Sequence, residues 1–253
     1  MKVDEYEAMF EVEQVHWWYK NLRDEVIFWV EKTSALHARS EKIRLLDLGC
    51  GTGGMLQRLQ ERFENINAVG MDYYSSALNF AKRRTSYPLL QGDVKKMPFG
   101  KNIFDMVVCL DVLYTKEAYP GFQSALEAVY NLLTAKGVFI LQLPAFKFLS
   151  SQHDVNVHGV HRFTASEIQT SLRQAGFCCL KVYYRYNLLL GIAWVARKIV
   201  IKNKRKSHIS KPMVITNFLL YKYFRLESWL NKRLPIPFGV SLFAVAFKQG
   251  RVS

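Results

Sequence analysis

Acidic residues are nearly missing from the last two fifths of this chain. Of 21 Asp and Glu in 253 residues, only Asp154, Glu167 and Glu227 follow residue 150, against 17 Lys and Arg. The first 150 residues hold 18 of each sign, so the whole net charge of +14 belongs to the C-terminal part. That imbalance points to an anionic partner for the region, whether membrane, phosphorylated substrate or nucleic acid. Cysteine is scarce as well. Cys50, Cys109, Cys178 and Cys179 make no Cys-x-x-Cys pair and no metal-ligand spacing, which excludes a disulfide framework and a zinc site and predicts reduced thiols. The apolar stretch 188–196 is too short to cross a bilayer. Residues 1–10 carry Asp4, Glu5 and Glu7 and no apolar run, so neither a signal nor a transit peptide is expected, and the expected location is cytoplasmic. No internal repeat or low-complexity segment interrupts the chain.

What is there is enough length for one α/β domain with attachments. Residues 5–32 read as one or two amphipathic helices, with Val15, Trp18, Leu22, Val26 and Trp29 on one stripe. From residue 43 short apolar runs alternate with helical segments. Strands are expected at 43–48, 68–71, 89–90, 104–110 and 138–143, and helices at 54–63, 75–84 and 118–133. Such alternation gives parallel βαβ units, and the near-continuous apolar strands fit a sheet covered on both faces. A further helix at 165–175 has Thr164 and Ser166 as candidate caps and Gly176 as its stop, and strands at 178–184 and 241–247 close the sheet. The expected fold is therefore α/β, a doubly wound, mostly parallel seven-stranded sheet. Its parts would be an N-terminal helical lid (1–40), a cofactor-binding core (41–185), a basic and apolar helical insertion (186–237) and a closing strand (238–253).

The segment from Asp47 to Gly54 reads Asp-Leu-Gly-Cys-Gly-Thr-Gly-Gly and joins a strand to a helix. Glycines there allow a tight turn and close approach of a ligand to the backbone, so it reads as a nucleotide-binding loop. Gly49, Gly51 and Gly54 also satisfy the dinucleotide pattern Gly-x-Gly-x-x-Gly, and the glycines alone do not choose between cofactors. Asp47 does choose. Two residues before Gly49, a carboxylate would repel a pyrophosphate and attract a cofactor carrying an ammonium and a sulfonium. Asp72 ends the second strand, where a carboxylate can accept both ribose hydroxyl protons in either cofactor class. Asp93 follows the third strand, where it can accept the adenine amino group while Val94 packs on the ring. No Tyr-x-x-x-Lys occurs, which removes the proton-transfer pair of short-chain dehydrogenases.

These segments resemble class I S-adenosylmethionine-dependent methyltransferases over roughly residues 43–177. The run from Leu46 through Asp47 to Gly54 looks like their motif I, Val69 to Asp72 the second motif, Gln91 to Asp93 the adenine motif, and Phe104 to Leu113 motif IV. Leu132 to Val138 resembles the entry to strand 5, with Ala135-Lys136-Gly137 where the family usually has Pro-Gly-Gly. The resemblance implies S-adenosyl-L-methionine as cofactor. Asp47 and the backbone of Gly49, Cys50, Gly51 and Gly53 would hold its methionine portion, Asp72 the ribose, Asp93 and Val94 the adenine, with Tyr73 a further cofactor-binding residue. Leu110 would line the methyl-donor pocket. His16-Trp17-Trp18-Tyr19 resembles an N-terminal signature of a subset whose first helix folds over the cofactor. Trp18 falls on the apolar stripe and is assigned to the core, leaving His16, Trp17 and above all Tyr19 to face the ligand, since aromatic faces attract a sulfonium.

Methyl transfer is an in-line displacement that needs alignment and a dry site, and no metal. A hydroxyl acceptor is helped by a general base near the methyl group. Candidates are Asp111 and Tyr114 after the fourth strand, and His153, His158 and His161 after the fifth, with His158 and His161 preferred. The segment Gly159 to Thr164 is similar to one in the same subset, with Gly159 and His161 as departures. The expected acceptor is a small molecule, a hydroxyl on a glycan, lipid or lipid-linked intermediate. Nucleic acid is disfavoured because Leu110 to Tyr114 lacks the Asn/Asp-Pro-Pro-Tyr/Phe of amino-methylating enzymes. An RNA or other nucleic-acid methyltransferase and a non-catalytic cofactor-binding regulatory module are the alternatives. Finally, the apolar stretch 188–196 precedes Arg197, Lys198, Lys202, Lys204, Arg205, Lys206 and Lys211. An apolar segment beside a basic run is the two-signal arrangement of reversible docking to an anionic membrane, here its inner face. A helical subdomain packed on the sheet with a solvated basic face is the other reading of this insertion.

Overall fold

The computed structural model describes residues 3–37, 42–150, 154, 157–191, 213–234 and 236–249. His153 and the basic run from Arg197 to Lys211 therefore lie outside the described residues. Two helices, α1 (Val3–Val12) and α2 (Trp17–Ser34), precede the sheet. Then follow β1 (Ile43–Leu48), α3 (Gly54–Arg62), β2 (Ile66–Asp72), α4 (Ser75–Ala81), β3 (Leu89–Gln91) and β4 (Phe104–Leu110). The chain continues through α5 (Phe122–Leu132), β5 (Leu133–Pro144), α6 (Ala165–Gln174), β6 (Phe177–Arg185), α7 (Val214–Asn231) and β7 (Ser241–Lys248).

The strands form a seven-stranded sheet in the order β3-β2-β1-β4-β5-β7-β6. Strands β1 to β5 are parallel and β7 runs antiparallel between β5 and β6, so the mostly parallel, doubly wound fold anticipated above is what forms. Consecutive strand residues serve opposite layers. Leu45, Met106, Val108 and Ile140 pack in one apolar cluster with α2 and α3, while Leu46, Val107, Cys109 and Phe139 pack in another with α5 and α6. Both faces are buried, which is why these strands read as unbroken apolar runs. The strand order reverses between β1 and β4, and in open α/β sheets the crevice beyond the strand ends at such a switch is where ligands bind.

Local chemistry sets the helix limits. The helix expected from residue 118 starts only at Phe122, because Pro120 lies in a separate 3₁₀ turn, Tyr119–Gly121. The helix expected at 75–84 is regular to Ala81 and continues as turns to Arg84. Thr164 caps α6 in a full capping box with Glu167, a feature worth about 1 kcal/mol. Within the expected insertion, α7 packs against α2 and β6.

Candidate functional site

A cavity of about 690 Å³ opens beyond the ends of β1, β2 and β4. On one flank it is floored by the loop after β1. Gly49, Gly51 and Gly53 there have φ of 81°, 54° and 83°, the left-handed region that favours glycine. The Gly49 and Cys50 N–H groups donate to the Met71 carbonyl at 2.7 and 3.0 Å, tying the loop to β2. A Cβ at Gly49 would lie 2.2 Å from Val112 Cγ2. Gly51 faces the cavity, but Gly53 lies outside its lining, and a Cβ there would meet Ala81 Cα of α4 at 2.9 Å. Close packing against α4 is reason enough for a glycine at this position.

Two carboxylates point into this flank. Asp47 is 2% exposed, and its Oδ2 has no hydrogen-bond partner among the described residues. Burial, followed by the nearby Asp72 charge, pushes its carboxyl up to about 7. Asp72 accepts the Gly51 N–H at 2.9 Å on Oδ2 and the Tyr74 N–H at 2.9 Å on Oδ1, and burial raises its pKa too. Tyr73, Asp93, Val94 and Leu110 also line the space.

Helix α1, through Tyr6 and Met9, and Glu13 in the turn after it close one side of the cavity. The buried Glu13 carboxylate accepts from Thr52 Oγ1 and pairs with Arg84, while its carbonyl accepts from Arg23 at 2.6 Å. Burial lowers the Arg84 pKa to about 10. None of these contacts was legible beforehand. In the following segment His16 caps α2, its Nδ1 accepting the Trp18 N–H at 3.2 Å. The two tryptophans exchange the places expected for them. Trp17 is buried and stacks on Phe224 at 4.8 Å, whereas Trp18 stacks on Tyr186 at 3.9 Å and lines the cavity beside Tyr19. The expected stripe holds at Leu22, Val26 and Trp29, which are buried, but α2 packs on α7 as well as on the sheet, which buries Trp17, while Val15 lies exposed in the turn before α2.

The other flank lies beyond β4 and β5. Asp111 sits one residue past β4 at φ 54°, and its Oδ2 accepts from Gln142 Nε2 at 2.7 Å. Gln142 Oε1 in turn accepts from the buried Arg185 at 3.0 Å. Tyr114 also faces the cavity, and burial, then Asp111, drives its hydroxyl far above the ordinary value. Burial and then Asp111 likewise push Tyr19 up to about 12. Arg162 grips Asp154 with two bonds of 3.2 and 2.8 Å and donates to the Ala145 carbonyl at 3.0 Å, and both side chains line the cavity.

Neither preferred histidine is in the lining. His158 stands behind Glu117, with Nδ1 at 3.0 Å from its Oε1, and Glu117 is the residue that reaches the cavity. Burial raises the Glu117 carboxyl, but the bonds from Tyr74, its own backbone and His158 together hold it below its usual range. His161 bonds Glu167 at 2.8 Å and stacks on Tyr119 at 4.4 Å, fastening the start of α6. The reason is alternation: Phe163 enters the core, so Arg162 turns to the cavity and His161 away from it.

The left-handed glycine loop, the partnerless carboxylate of Asp47 and the carboxylates at the ends of β2 and β3 form a cradle for a cation carrying a nucleoside. A family profile described as a methyltransferase domain matches residues 39–179. The chain belongs to the class I S-adenosylmethionine-dependent methyltransferases. Among relatives, it is 32% identical over 111 residues, 43% of this chain, to a fatty-acid O-methyltransferase of Mycolicibacterium smegmatis. It is 28% identical over 132 residues, 49% of this chain, to a sterol 24-C-methyltransferase of Kluyveromyces lactis. The matches span 39% and 33% of the length of those two relatives. A SAM-dependent methyltransferase of Thermotoga maritima has the same fold, with a TM-score of 0.57 at 16% identity, covering 98% of this chain and 96% of that one. The methyltransferase cofactor fits the residues present. Asp47 offers an unmet acceptor to an ammonium group, and no cation of the protein pairs with it among the described residues.

Proposed function

We propose that this methyltransferase moves a methyl group from S-adenosylmethionine to an oxygen of a small acceptor, a hydroxyl on a glycan, lipid or lipid-linked intermediate. The observation that carries this is Asp111, a carboxylate beside the switch point that shares one cavity with the Asp47–Asp72 cradle. When bound, the cofactor supplies a methyl carbon made electrophilic by its sulfonium. Asp47 holds the ammonium end, the Gly49, Cys50 and Gly51 backbone allows close approach, Asp72 with Tyr73 accepts the ribose hydroxyls, and Asp93 with Val94 receives the adenine. Trp18, Tyr19 and Tyr6 present aromatic rings to the cavity, where a cation is attracted by about 0.5–2 kcal/mol per face.

On the acceptor flank Asp111 takes the hydroxyl proton, oriented by Gln142, whose other end is held by Arg185. Tyr19 and Tyr114 stay protonated at neutral pH and act as hydroxyl donors that orient the acceptor. Helix α1 excludes water, held in place by Glu13 in the turn after it, which joins Thr52 of the glycine loop to Arg84 in the turns after α4. In this reading residues 1–40 form a lid, 41–185 the core, 186–237 an insertion and 238–253 the closing strand, and the acceptor is met at an anionic membrane surface. The relatives that act on fatty acids and sterols support an apolar acceptor. The test is transfer of radiolabelled methyl from S-adenosylmethionine to a panel of fatty acids, hydroxylated lipids, glycolipids and RNA. Labelling of an oxygen in the lipid or glycolipid classes is expected, and labelling confined to RNA would overturn the reading.

A further inference from the structure

Helix α7 is built inside out. Around the buried Phe224, its inward face is largely polar. Asn217 Oδ1 accepts the Trp17 N–H at 2.8 Å, the Tyr221 hydroxyl donates to Asp24 at 2.6 Å, and Glu227 Oε1 accepts the Tyr186 N–H at 2.6 Å. Ser228 donates to Glu25, and Asn231 Nδ2 to Asn187 Oδ1 at 2.8 Å. The outward face is apolar. At about 100° per residue, Ile215, Phe218, Leu219, Leu226 and Trp229 share one arc about 100° wide. They are 72, 57, 60, 58 and 50% exposed. Helices that face water show the reverse arrangement, and a contiguous exposed apolar face marks a contact surface.

Charge identifies the contact. Lys222 lies within the apolar arc, its Nζ 5.4 Å from the Phe218 ring, and the Arg233 guanidinium covers Trp229 at 3.8 Å. Arg225 flanks them. From residue 186 onward the chain has a single acid, Glu227, and that one is turned inward onto backbone N–H groups. A second copy on a twofold axis would set these cations against themselves, which disfavours a dimer through this face. An anionic leaflet takes both features together, the apolar chains below the headgroups and the cations at the phosphates.

We propose that this outward face of α7 is the membrane-docking surface of the protein, inserting at the headgroup boundary of an anionic leaflet. The inference rests on the membrane part of the reading above and is independent of which acceptor is methylated. It also links surface to site. Phe224, on the buried face of α7 opposite the apolar arc, stacks on Trp17 of α2, and the next residues of α2, Trp18 and Tyr19, line the cavity.

The test is flotation of the full chain with phosphatidylcholine vesicles, with and without phosphatidylglycerol, beside a variant carrying Leu219→Ser, Leu226→Ser and Trp229→Ser. All three positions are exposed, and unchanged affinity for S-adenosylhomocysteine verifies that the variant is folded. Wild type is expected to float only with the anionic vesicles and to be released by salt. The variant is expected to bind at least tenfold more weakly, because three apolar side chains that would leave water on docking are lost. If wild type does not float at low salt, both the membrane reading and this surface fail. If wild type and variant float equally, the surface alone fails. If wild type does not float and light scattering shows a dimer that the variant breaks, the face belongs to a second copy and the proposal is overturned.

Discussion

On the flank of the cavity formed by β1 to β3, the carboxylates Asp47, Asp72 and Asp93 all stand within two residues of a strand end, and backbone bonds hold the loop between them. On the flank formed by β4 and β5, Asp111 alone of the charged lining groups stands so close to a strand, and Tyr114, Asp154 and Arg162 come from long connections. The first arrangement fixes a ligand of one shape, as a shared cofactor requires. The second can be altered by changing connections while the sheet stays intact, as acceptors that differ between relatives require. Damage on the two flanks should accordingly separate: the cofactor flank should answer in affinity, the acceptor flank in turnover.

Asp111→Asn is the sharpest break. It keeps the shape and removes the proton acceptor, so kcat should fall about 10²–10⁴-fold, the range typical of a general base, with the dissociation constant for S-adenosylhomocysteine unchanged. Steady-state kinetics beside calorimetry would check it. Equal losses in kcat and cofactor affinity would mean that the flanks are not independent.

Asp72→Ala should give the converse. The variant loses two backbone contacts, to Gly51 and Tyr74, besides the expected ribose bonds. With about 1.5–3 kcal/mol for a bond to a charged group, cofactor affinity should drop roughly 10–100-fold. The chain should still fold, as circular dichroism would show, because the apolar clusters do not involve this residue. Unchanged affinity would place the ribose elsewhere.

The same contrast explains what could be read beforehand. Asp47, Asp72, Asp93 and the glycines were legible because a strand, a turn and a helix place them locally, within a few residues of a recognisable apolar run. Likewise Thr164 was identifiable as a cap from its own neighbours. Arg162 was not, because its direction depends on the bridge between Ala145 and Phe163, a pairing between distant segments. Tyr6, Met9 and Glu13 were hidden for the same reason: nothing local in α1 tells that it lies across the glycine loop. The two tryptophans were misassigned because helix periodicity shows a face but not how many neighbours will cover it.

Asp47 offers a test of the cofactor flank that needs no turnover. Its pKa is raised from 3.8 to about 7, so between those values the folded protein keeps a proton that the unfolded chain has lost. Its contribution to stability is therefore greatest at the acid end and declines as pH rises through about 7. A bound ammonium group favours the carboxylate and reverses the shift, so binding near pH 7 should release up to about half a proton. Calorimetry in two buffers of different ionisation enthalpy reads that release, and Asp47→Asn should abolish it. No release in the wild type would mean that the ammonium lies away from Asp47.

The smallest effect is expected at His161, one of the two histidines preferred from the sequence as candidate bases. His161 carries an ionisable ring in the connection after β5, yet its ring is spent on Glu167 at 2.8 Å and on the Tyr119 face at 4.4 Å, both outside the cavity lining. His161→Ala removes one hydrogen bond and one stacked pair, which together stabilise the entry to α6 by about 1–3 kcal/mol. Because α6 is also held by its capping box and by Ile168 and Leu172 in the core, the helix should persist. The melting temperature should therefore fall while kcat stays within about twofold, as expected for a surface contact rather than a general base worth at least 10². The neighbouring Arg162→Ala provides the control, since it removes a guanidinium that lines the cavity and holds Asp154, and should raise the acceptor KM. A large loss of kcat in His161→Ala with an unchanged melting temperature would put a proton-transfer group outside the cavity seen here, and would overturn the division between the flanks.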